Sequence, residues 1–324
     1  MLNQKNTLAL SILVIVLGLN GCQKTDPKNT EPVEQTAASQ AIDTSILLQG
    51  DTEKLKFTLP ECGGNSCPEF SIDRLHSNQP FVDEIIDQAI LSNLDRILDI
   101  TQVNKSKKDL AQNQSSASEI QENTSKTPAQ QMQDRVQPYV NSFLGLQKEL
   151  QNLGASGQLS LTISPKILNA ELPLATVVLN SSSFLGGAHG STAQTYFNFD
   201  LKTKQQVTLD QILETNQKDK LKKLAHDAFK VWVIDSKLAE NVAEYEQAWK
   251  FKLTDNFYLG KQGLILQYGE YDIGPYVVGL PRLTIPYDQL KGVLKPQYFP
   301  VEMQVDQPAT SSAVVAHSNA KAAS

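Results

Sequence analysis

The chain carries little excess charge and few of the residue types on which most enzyme chemistry depends. Its 324 residues include four histidines and three cysteines, and the formal net charge is −6 at pH 7. A protein that neutralises nucleic-acid phosphates needs a basic surface, so this mild acidity argues against that class. The sequence contains no His-Glu-x-x-His motif, no paired-cysteine zinc spacing and no Gly-x-Ser-x-Gly nucleophile turn. We therefore predict no nucleic-acid partner, no metal site, no cofactor and no catalytic residue.

Long hydrophobic runs are also missing, apart from a short one near the amino terminus. Residues 8–19 are uncharged and apolar, and one cation, Lys5, precedes them. A helix needs about 20 apolar residues to cross a hydrocarbon core, so a run this short behind a positive start is typical of a signal sequence. The run leads into Leu-Asn-Gly-Cys at 19–22, which resembles the bacterial lipobox. The resemblance implies that residues 1–21 are removed and that Cys22 receives a diacylglycerol thioether.

A lipidated Cys22 would anchor the mature chain to a membrane of the cell envelope. Each buried methylene contributes about 0.8 kcal/mol, and several acyl chains together give stable attachment. In lipoproteins of two-membrane bacteria an Asp after the cysteine marks the inner membrane, so Gln23 favours the outer membrane, facing the periplasm. The alternative is that Cys22 is an ordinary residue of a signal peptide or of an amino-terminal membrane anchor. Loss of Lys5 with the leader would change the formal charge from −6 to −7.

The other two cysteines, Cys62 and Cys67, flank the residues Gly-Gly-Asn-Ser. In an oxidising compartment, a pair across a glycine-rich turn predicts a disulfide, which would contribute about 2 kcal/mol in the chain-entropy model. A metal clip and a redox pair are the alternatives. Four residues rather than two separate the cysteines, and no histidine or second cysteine pair lies near them in the sequence.

Composition and periodicity divide the chain into five segments. They are a signal peptide (1–21), a polar disordered tether (22–48), an N-terminal α+β segment (49–155) with a polar insertion (103–127), a C-terminal α+β domain (156–298) and a disordered Ala/Ser-rich tail (299–324).

Apolar periodicity inside the two folded segments predicts mixed secondary structure. Residues 54–59 alternate and predict a strand, whereas Pro80 begins a helical pattern of about five turns. A second helix, kinked or begun at Pro138, should end at Gly154, and a third begins at Asp219. Strands in groups without a regular βαβ rhythm indicate an α+β fold. We expect a mainly antiparallel sheet packed with several helices, as one compact unit built from two segments.

Two segments concentrate glycine together with polar and aromatic side chains. Residues 184–190 surround His189 with three glycines, which implies unusual backbone dihedrals or the close approach of another group. Residues 268–279 contain three tyrosines, two acids and three glycines. The candidate ligand-binding residues are Gly187, His189, Tyr268, Tyr271, Asp272 and Tyr276.

Together these segments resemble the extracytoplasmic C-terminal domain family of RsiV-like anti-sigma factors, which is also found beside the catalytic domain of PdaC-type peptidoglycan deacetylases. The order and spacing of the motifs agree over about residues 160–294. The matching motifs are Gly-Gly-Ala-His at 186–189, an aromatic strand that ends in Asp at 196–200, a Thr-Leu-x-x-Ile/Leu helix start at 208–213, Tyr-x-Ile-x-Pro-Tyr-x-x-Gly at 271–279 and Ile-Pro-Tyr at 285–287.

The resemblance implies an extracytoplasmic sensor or binding domain. In the RsiV-like group the ligand is lysozyme, and in the deacetylases the neighbouring chemistry acts on peptidoglycan. Only seven residues precede the apolar run, and no Asp-Asp metal motif of a deacetylase domain occurs. We therefore expect neither direct sigma-factor binding nor deacetylation. The expected function is a non-catalytic, lipid-anchored envelope protein that binds a lysozyme-like wall-lytic protein or peptidoglycan.

Two other functions remain open. A cell-wall hydrolase or deacetylase-associated enzyme would use His189 as a general base oriented by Asp200. A structural envelope lipoprotein would bind no small ligand. In that case His189 is a turn residue whose ring satisfies a backbone group, and Tyr268, Tyr271 and Tyr276 form a core-edge cluster with hydroxyls bonded at the surface.

Overall fold

The computed structural model describes residues 47–59, 67–98, 126–154, 157–300 and 303. The predicted signal peptide, Cys22, Cys62 and most of the tether, the polar insertion and the tail lie outside these ranges. Within them, no helix has both the length and the apolar character needed to cross a bilayer.

Six strands form the larger sheet, in the order β1-β2-β3-β4-β5-β6. They are β1 (Gly50–Lys54), β2 (Glu69–Ser77), β3 (Ser160–Asn169), β4 (Ala175–Phe184), β5 (Ser191–Asp200) and β6 (Gln205–Val207). Neighbouring strands pair antiparallel, except that β2 and β3 run parallel. Strands from both predicted segments therefore belong to one mostly antiparallel sheet.

Two long helices, α1 (Pro80–Leu98) and α2 (Pro128–Asn152), lie in the chain between the parallel strands β2 and β3. Thr127 and Gln130 form a capping box that satisfies free amide groups at the start of α2. The helix therefore begins before Pro138, which is an interior residue. Gly154 follows the helix with a φ of 79°, the left-handed conformation that ends many helices.

The first apolar core lies between the larger sheet and these two helices. It collects every second side chain of the strands and one stripe of each helix. Its members include Ile72, Ile86, Leu94, Val136, Phe143, Leu161, Val177 and Phe199. One buried ion pair accompanies this core, because Arg74 Nη2 lies 2.9 Å from Asp87 Oδ2.

A second, antiparallel sheet and three shorter helices form the C-terminal part. The strands are β7 (Phe257–Leu259), β8 (Gly263–Gln267) and β9 (Arg282–Pro286), and the helices are α3 (Leu209–Ile212), α4 (Lys218–Asp235) and α5 (Val242–Ala248). Three 3₁₀ turns follow β8 in the chain, at Tyr276–Val278, Tyr287–Leu290 and Pro296–Tyr298. The second apolar core includes Leu221, Phe229, Tyr245, Leu264, Tyr268, Ile285 and Phe299.

The structure confirms the predicted α+β class with a mainly antiparallel sheet and several helices. The strand predicted at 54–59 is wrong, since β1 ends at Lys54 and residues 55–59 are irregular. The alternation has another cause: Leu55, Phe57 and Leu59 all pack against the first core. Both cores take side chains from the predicted C-terminal segment, since the first includes Leu201 and the second includes Leu174.

Candidate functional site

Three aromatic side chains from the two glycine-rich segments meet at the surface, and we call them the aromatic cluster: His189, Tyr271 and Tyr276. The rings of His189 and Tyr276 stack with centroids 4.0 Å apart and planes at 22°. The ring of Tyr271 lies 5.8 Å from that of Tyr276. Trp249 lies 6.5 Å from Tyr271 and extends the row. The fold therefore brings together three of the six candidate ligand-binding residues.

Glycine conformation shapes the loop between β4 and β5 that carries His189. Gly186 and Gly187 have φ values of 92° and 103°, where a side chain would be strained. At Gly190 an added Cβ would lie 2.9 Å from the Ser183 carbonyl oxygen, so the close approach of the two strand ends needs glycine there. Gly187 thus contributes backbone shape to the loop that presents His189.

Both ring nitrogens of His189 have hydrogen-bond partners. Nδ1 lies 3.0 Å from the Gly190 carbonyl oxygen, and Nε2 lies 3.1 Å from the Tyr271 hydroxyl. A carbonyl can only accept, so Nδ1 is the donor in its bond to Gly190. Tyr276 donates its hydroxyl to the same Gly190 carbonyl at 3.0 Å. These bonds fix the cluster as one unit.

Asp200 does not orient His189, so that part of the hydrolase hypothesis is wrong. The loop of His189 leads into the start of β5, and Asp200 ends the strand, which at about 3.3 Å per residue places them about 30 Å apart. The Asp200 carboxylate instead accepts hydrogen bonds from the backbone N–H groups of Lys202 and Thr203.

Tyr271 has the left-handed backbone conformation that non-glycine residues seldom adopt, with a φ of 64°. Such a residue costs of order 1–3 kcal/mol and persists where its surroundings hold it. Asp272 provides part of that hold, because its carboxylate accepts from the Gly269 N–H at 2.7 Å and contacts Lys252 Nζ at 2.6 Å. The side chain of Tyr271 remains 50% exposed. Asp272 is thus a turn-building residue with both oxygens engaged.

Tyr268 does not belong to an accessible surface, in contrast to its prediction as a ligand-binding residue. It is 1% exposed and lies in the second core. Its hydroxyl donates to the Lys252 carbonyl at 2.9 Å, and burial raises the pKa of this hydroxyl well above its usual value. Its role in the structure is to hold the segment around Lys252 against the second core.

Glu270 and Asn256 bind the first part of β5, before the residues that pair with β6. The Glu270 carboxylate accepts from the Thr192 N–H at 2.9 Å and from the hydroxyls of Ser191 and Thr192. The Asn256 amide accepts from the Tyr196 N–H at 2.8 Å and donates to the Gln194 carbonyl at 2.7 Å.

Sequence reasoning gave these two side chains no role, and no local pattern signals them, because their partners lie 60–79 residues away. An open strand edge is a site of unwanted pairing, and both side chains cover it.

Within the described ranges, no group of three or more His, Cys, Asp or Glu residues could hold a metal ion. Cys67 forms a disulfide. The other cysteines, Cys22 and Cys62, lie outside the described ranges, so the pairing of Cys67 with Cys62 stays a prediction.

Comparisons with known proteins connect this architecture to a family. Residues 202–288 match the family described as "Protein of unknown function (DUF3298)". The peptidoglycan-N-acetylmuramic acid deacetylase PdaC of Bacillus subtilis is 26% identical over 140 residues. The match covers 43% of this chain and 30% of that protein, so the chain spans less than a third of the length of this relative.

Two solved structures of the same family share the fold. A DUF3298 family protein from Pseudomonas aeruginosa superposes with a TM-score of 0.55 and 26% identity, over 78% of this chain and 96% of that one. A member from Bacteroides fragilis gives a TM-score of 0.54 and 21% identity, over 77% of this chain and 94% of that one. The structural match thus extends well beyond residues 202–288.

Proposed function

We propose that this chain is a non-catalytic binding protein of the bacterial cell envelope, and that the aromatic cluster is its contact surface for a lysozyme-like wall-lytic protein. The observation that supports this most is that an aromatic and an apolar side chain within residues 271–277 are both exposed to solvent. Tyr271 is 50% exposed and Val277 is 86% exposed. His189 is exposed as well.

The composition of this surface suits a protein partner. Tyrosine and tryptophan are enriched where binding energy concentrates, because they offer a large rigid contact area with a polar end. The cluster is also fixed before binding: His189 is bonded at both nitrogens, and Tyr276 donates to Gly190. A preformed surface loses less conformational entropy on association.

The same bonds argue for binding rather than acid–base catalysis. A general base needs a free nitrogen within reach of a substrate proton. His189 would first have to give up the Tyr271 hydroxyl at Nε2. The acids next to Tyr271 in the chain, Glu270 and Asp272, are bonded to β5 and to Lys252 and Gly269.

Two further features support an envelope role for the proposed interaction. The relative named above is a peptidoglycan-modifying enzyme by its name. The formal charge of −6, or −7 without the leader, favours association with a basic partner through electrostatic steering.

Anchoring belongs to the same proposal. Residues 1–22 would place the protein on a membrane through lipidated Cys22, with Gln23 favouring the outer membrane. Mass spectrometry of the membrane fraction should find Cys22 as the modified first residue. An uncleaved leader, or an unmodified Cys22, would overturn this part of the proposal.

The binding proposal is tested by calorimetric titration of the mature chain with lysozyme. We expect Tyr271→Ala and Val277→Asp to weaken binding at least tenfold, which corresponds to about 1.4 kcal/mol. Val231→Asp is the matched control, because Val231 is an exposed valine on α4, at 59% exposure. Equal affinity in all three variants would exclude the aromatic cluster. Binding to sedimented peptidoglycan without binding to lysozyme would make the wall polymer the ligand.

A further inference from the structure

Helix α4 and strand β9 border a groove in the C-terminal part of the molecule. β9 lies at one end of the three-stranded sheet β7-β8-β9, so only one of its edges pairs with β8. A cavity of about 440 Å³ is lined by residues of both elements, among them Val231 and Trp232 of α4 and Thr284 of β9. We call this cavity the α4–β9 groove. Its lining includes no residue of the aromatic cluster, so the partner proposed above does not account for it.

The outer edge of β9 carries backbone groups that have no partner in the sheet. Successive residues of an antiparallel strand direct their N–H and C=O groups to opposite edges. Pro281 and Tyr287, which flank β9, both bond to residues that adjoin β8. Arg282 and Thr284 therefore direct their backbone groups to the outer edge, where no backbone hydrogen bond is formed within the described residues. This edge is short, because Pro286 has no N–H.

An extended peptide is the occupant that satisfies these groups. A helix bonds its own amides and carbonyls, so it would leave the edge of β9 unpaired. A strand that pairs with β9 directs every second side chain to the side of the sheet where α4 lies. The exposed apolar side chain there is Val231, at 59% exposure, and Trp232 lines the same groove. The groove thus combines backbone pairing on one wall with an apolar surface on the other.

Two acids of α4 set the charge of the occupant. Asp227 and Asp235 line the groove, four residues before and four residues after Val231. Residues four apart lie on one side of a helix, and eight residues rise about 12 Å. Positions i and i+4 of a strand face the same side and are about 13 Å apart. Basic side chains at those two positions would therefore meet both acids, with the side chain at i+2 against Val231.

Two neighbouring cations leave these acids available. Lys230 pairs with Asp227 at 3.0 Å, but both side chains are about half exposed, and such a pair contributes little to stability. Arg282 lines the groove as well, but its guanidinium donates to the side chains of Gln267 and Gln194. A basic partner can therefore engage the acids of α4 without displacing a buried ion pair.

We propose that the α4–β9 groove binds an extended segment of a partner protein, in which an apolar residue is flanked two positions away on each side by lysine or arginine. The segment adds a strand to β9, and charge complementarity selects its flanking residues. Because the free edge offers the backbone N–H groups of Arg282 and Thr284 alone, binding is weak and reversible. This interaction is separate from the contact with a wall-lytic protein at the aromatic cluster.

The chain itself does not supply such a segment. Two cations four residues apart with an apolar residue midway occur only at 291–295. The midway residue, Val293, is fully buried in the second core. A second copy could pair through its own β9, but a two-fold axis would bring the acids of one α4 next to those of the other. Charge therefore favours a different, basic partner.

The probe is the peptide Thr-Lys-Thr-Leu-Thr-Lys-Thr with both ends blocked, titrated into the full mature chain and followed by calorimetry. One control peptide replaces both lysines by glutamate, and a second replaces the leucine by asparagine. We expect a dissociation constant below about 1 mM for the lysine peptide and about tenfold weaker binding for each control. No heat up to about 10 mM lysine peptide, or equal affinity for the glutamate peptide, would overturn the proposal.

Asp235→Lys locates the binding on α4. Glu149→Lys is the matched control, because it makes the same change of charge at an exposed position of α2. We expect Asp235→Lys to weaken binding of the lysine peptide about tenfold and Glu149→Lys to leave it unchanged. The glutamate peptide should bind Asp235→Lys more tightly than it binds the unsubstituted chain. Equal affinity of the lysine peptide for the two folded variants would exclude the groove.

Backbone pairing is tested with the unsubstituted chain, in case Asp235→Lys does not fold. Methylation of the peptide nitrogens one at a time should weaken binding at alternate positions, because only every second amide of a strand faces its neighbour. Amide hydrogen exchange of residues 282–286 should slow when the lysine peptide is added. Equal effects of all the N-methyl groups, or no protection at 282–286, would contradict pairing with β9.

The two proposed contacts fail separately. Binding of the lysine peptide should survive Tyr271→Ala, and lysozyme should bind Asp235→Lys and Glu149→Lys equally well. Analytical ultracentrifugation of the chain alone tests the other occupant. A dimer that dissociates in Val231→Lys would make a second copy the occupant of the groove and overturn the proposal.

Discussion

The two apolar cores are built in different ways. The first joins long regular elements, and its fully buried members are aliphatic side chains with a few phenylalanines. The second includes three buried tyrosines, Tyr245, Tyr268 and Tyr287. Each donates its hydroxyl to a backbone carbonyl of an irregular segment: Ile273 at 3.0 Å, Lys252 at 2.9 Å and Gly260 at 3.0 Å.

The difference follows from where backbone groups find partners. Strands and helices satisfy their own amides and carbonyls, so the first core can be filled with side chains that carry no polar atom. The segments around Lys252 and Ile273 lie outside helices and strands. Their carbonyls need side-chain donors, and tyrosine supplies a donor together with a large apolar ring. Irregular backbone held in this way can present Tyr271 and Tyr276 in a fixed arrangement.

A buried ion pair lies beside the first core. Arg74 is 3% exposed and pairs with Asp87 at 2.9 Å. Burial raises the pKa of Asp87, although hydrogen bonding and the charge of Arg74 act in the opposite direction. Glu53 lies near the same guanidinium, at 3.7 Å. The first core thus has a buried charge pair beside it, whereas the second core contains tyrosine hydroxyls.

The largest expected effect comes from removing the cation of the first core. Arg74→Met should lower the free energy of unfolding by about 3–5 kcal/mol, because Asp87 would remain buried without its partner. Urea unfolding at pH 7 measures this loss. Lys148→Met is the control, since Lys148 is exposed on α2 and should change stability by less than about 0.5 kcal/mol. A loss below 1 kcal/mol for Arg74→Met would show that the pair is not needed.

A smaller effect should follow from removing one tyrosine hydroxyl of the second core. Tyr268→Phe deprives the Lys252 carbonyl of its donor and should cost about 1–3 kcal/mol. Tyr271→Phe, three positions later, should cost less than about 0.5 kcal/mol because the hydroxyl is at the surface. Thermal or urea unfolding of the two variants side by side gives the difference. Equal stabilities would contradict the role given to the buried hydroxyls.

The smallest effect concerns alkaline pH and the first core. Burial, and then the hydrogen bond to Asp95, raises the pKa of Tyr139 from 10.0 to about 12. Above pH 10 the unfolded chain ionises this tyrosine while the folded chain does not, so its contribution to stability is complete below pH 10 and is lost as the pH rises to about 12. The free energy of unfolding of Tyr139→Phe should fall less steeply in that window.

The size of this effect is limited by solvent. Tyr139 is only partly buried, and water screens the charge of its ionised form. Urea midpoints at pH 9, 10 and 11 for the wild type and Tyr139→Phe measure the slope. Parallel slopes would mean that Tyr139 ionises equally easily in both states.

Much of the local structure could be predicted from the sequence. The helix that begins at Pro80 and the short helix that begins after Thr208 are as expected. Both depend on residues within one or two helical turns, where dihedral preferences and capping bonds decide the outcome. The strand β2 could not be predicted in this way, because Arg74 takes the inward position that follows Phe70 and Ile72 and interrupts the apolar alternation. Arg74 is buried there through its ion pair with Asp87.

The candidate site shows the same limit. The glycines at 186, 187 and 190 indicated an unusual loop, and the loop is present. Nothing local indicated that Asn256 binds the edge of β5, because an amide that bridges two strands looks like any surface asparagine in a sequence.

The sequence by itself determined the α+β class and the long helices α1 and α4, since these follow from residues close together in the chain. Only the tertiary structure decided that Tyr268 is buried while Tyr271, three residues later, is half exposed beside His189. The left-handed backbone at Tyr271 directs the two side chains into different surroundings, and those surroundings come from segments up to 82 residues away. Contacts over such separations depend on the order of strands in the sheets, which local periodicity does not specify.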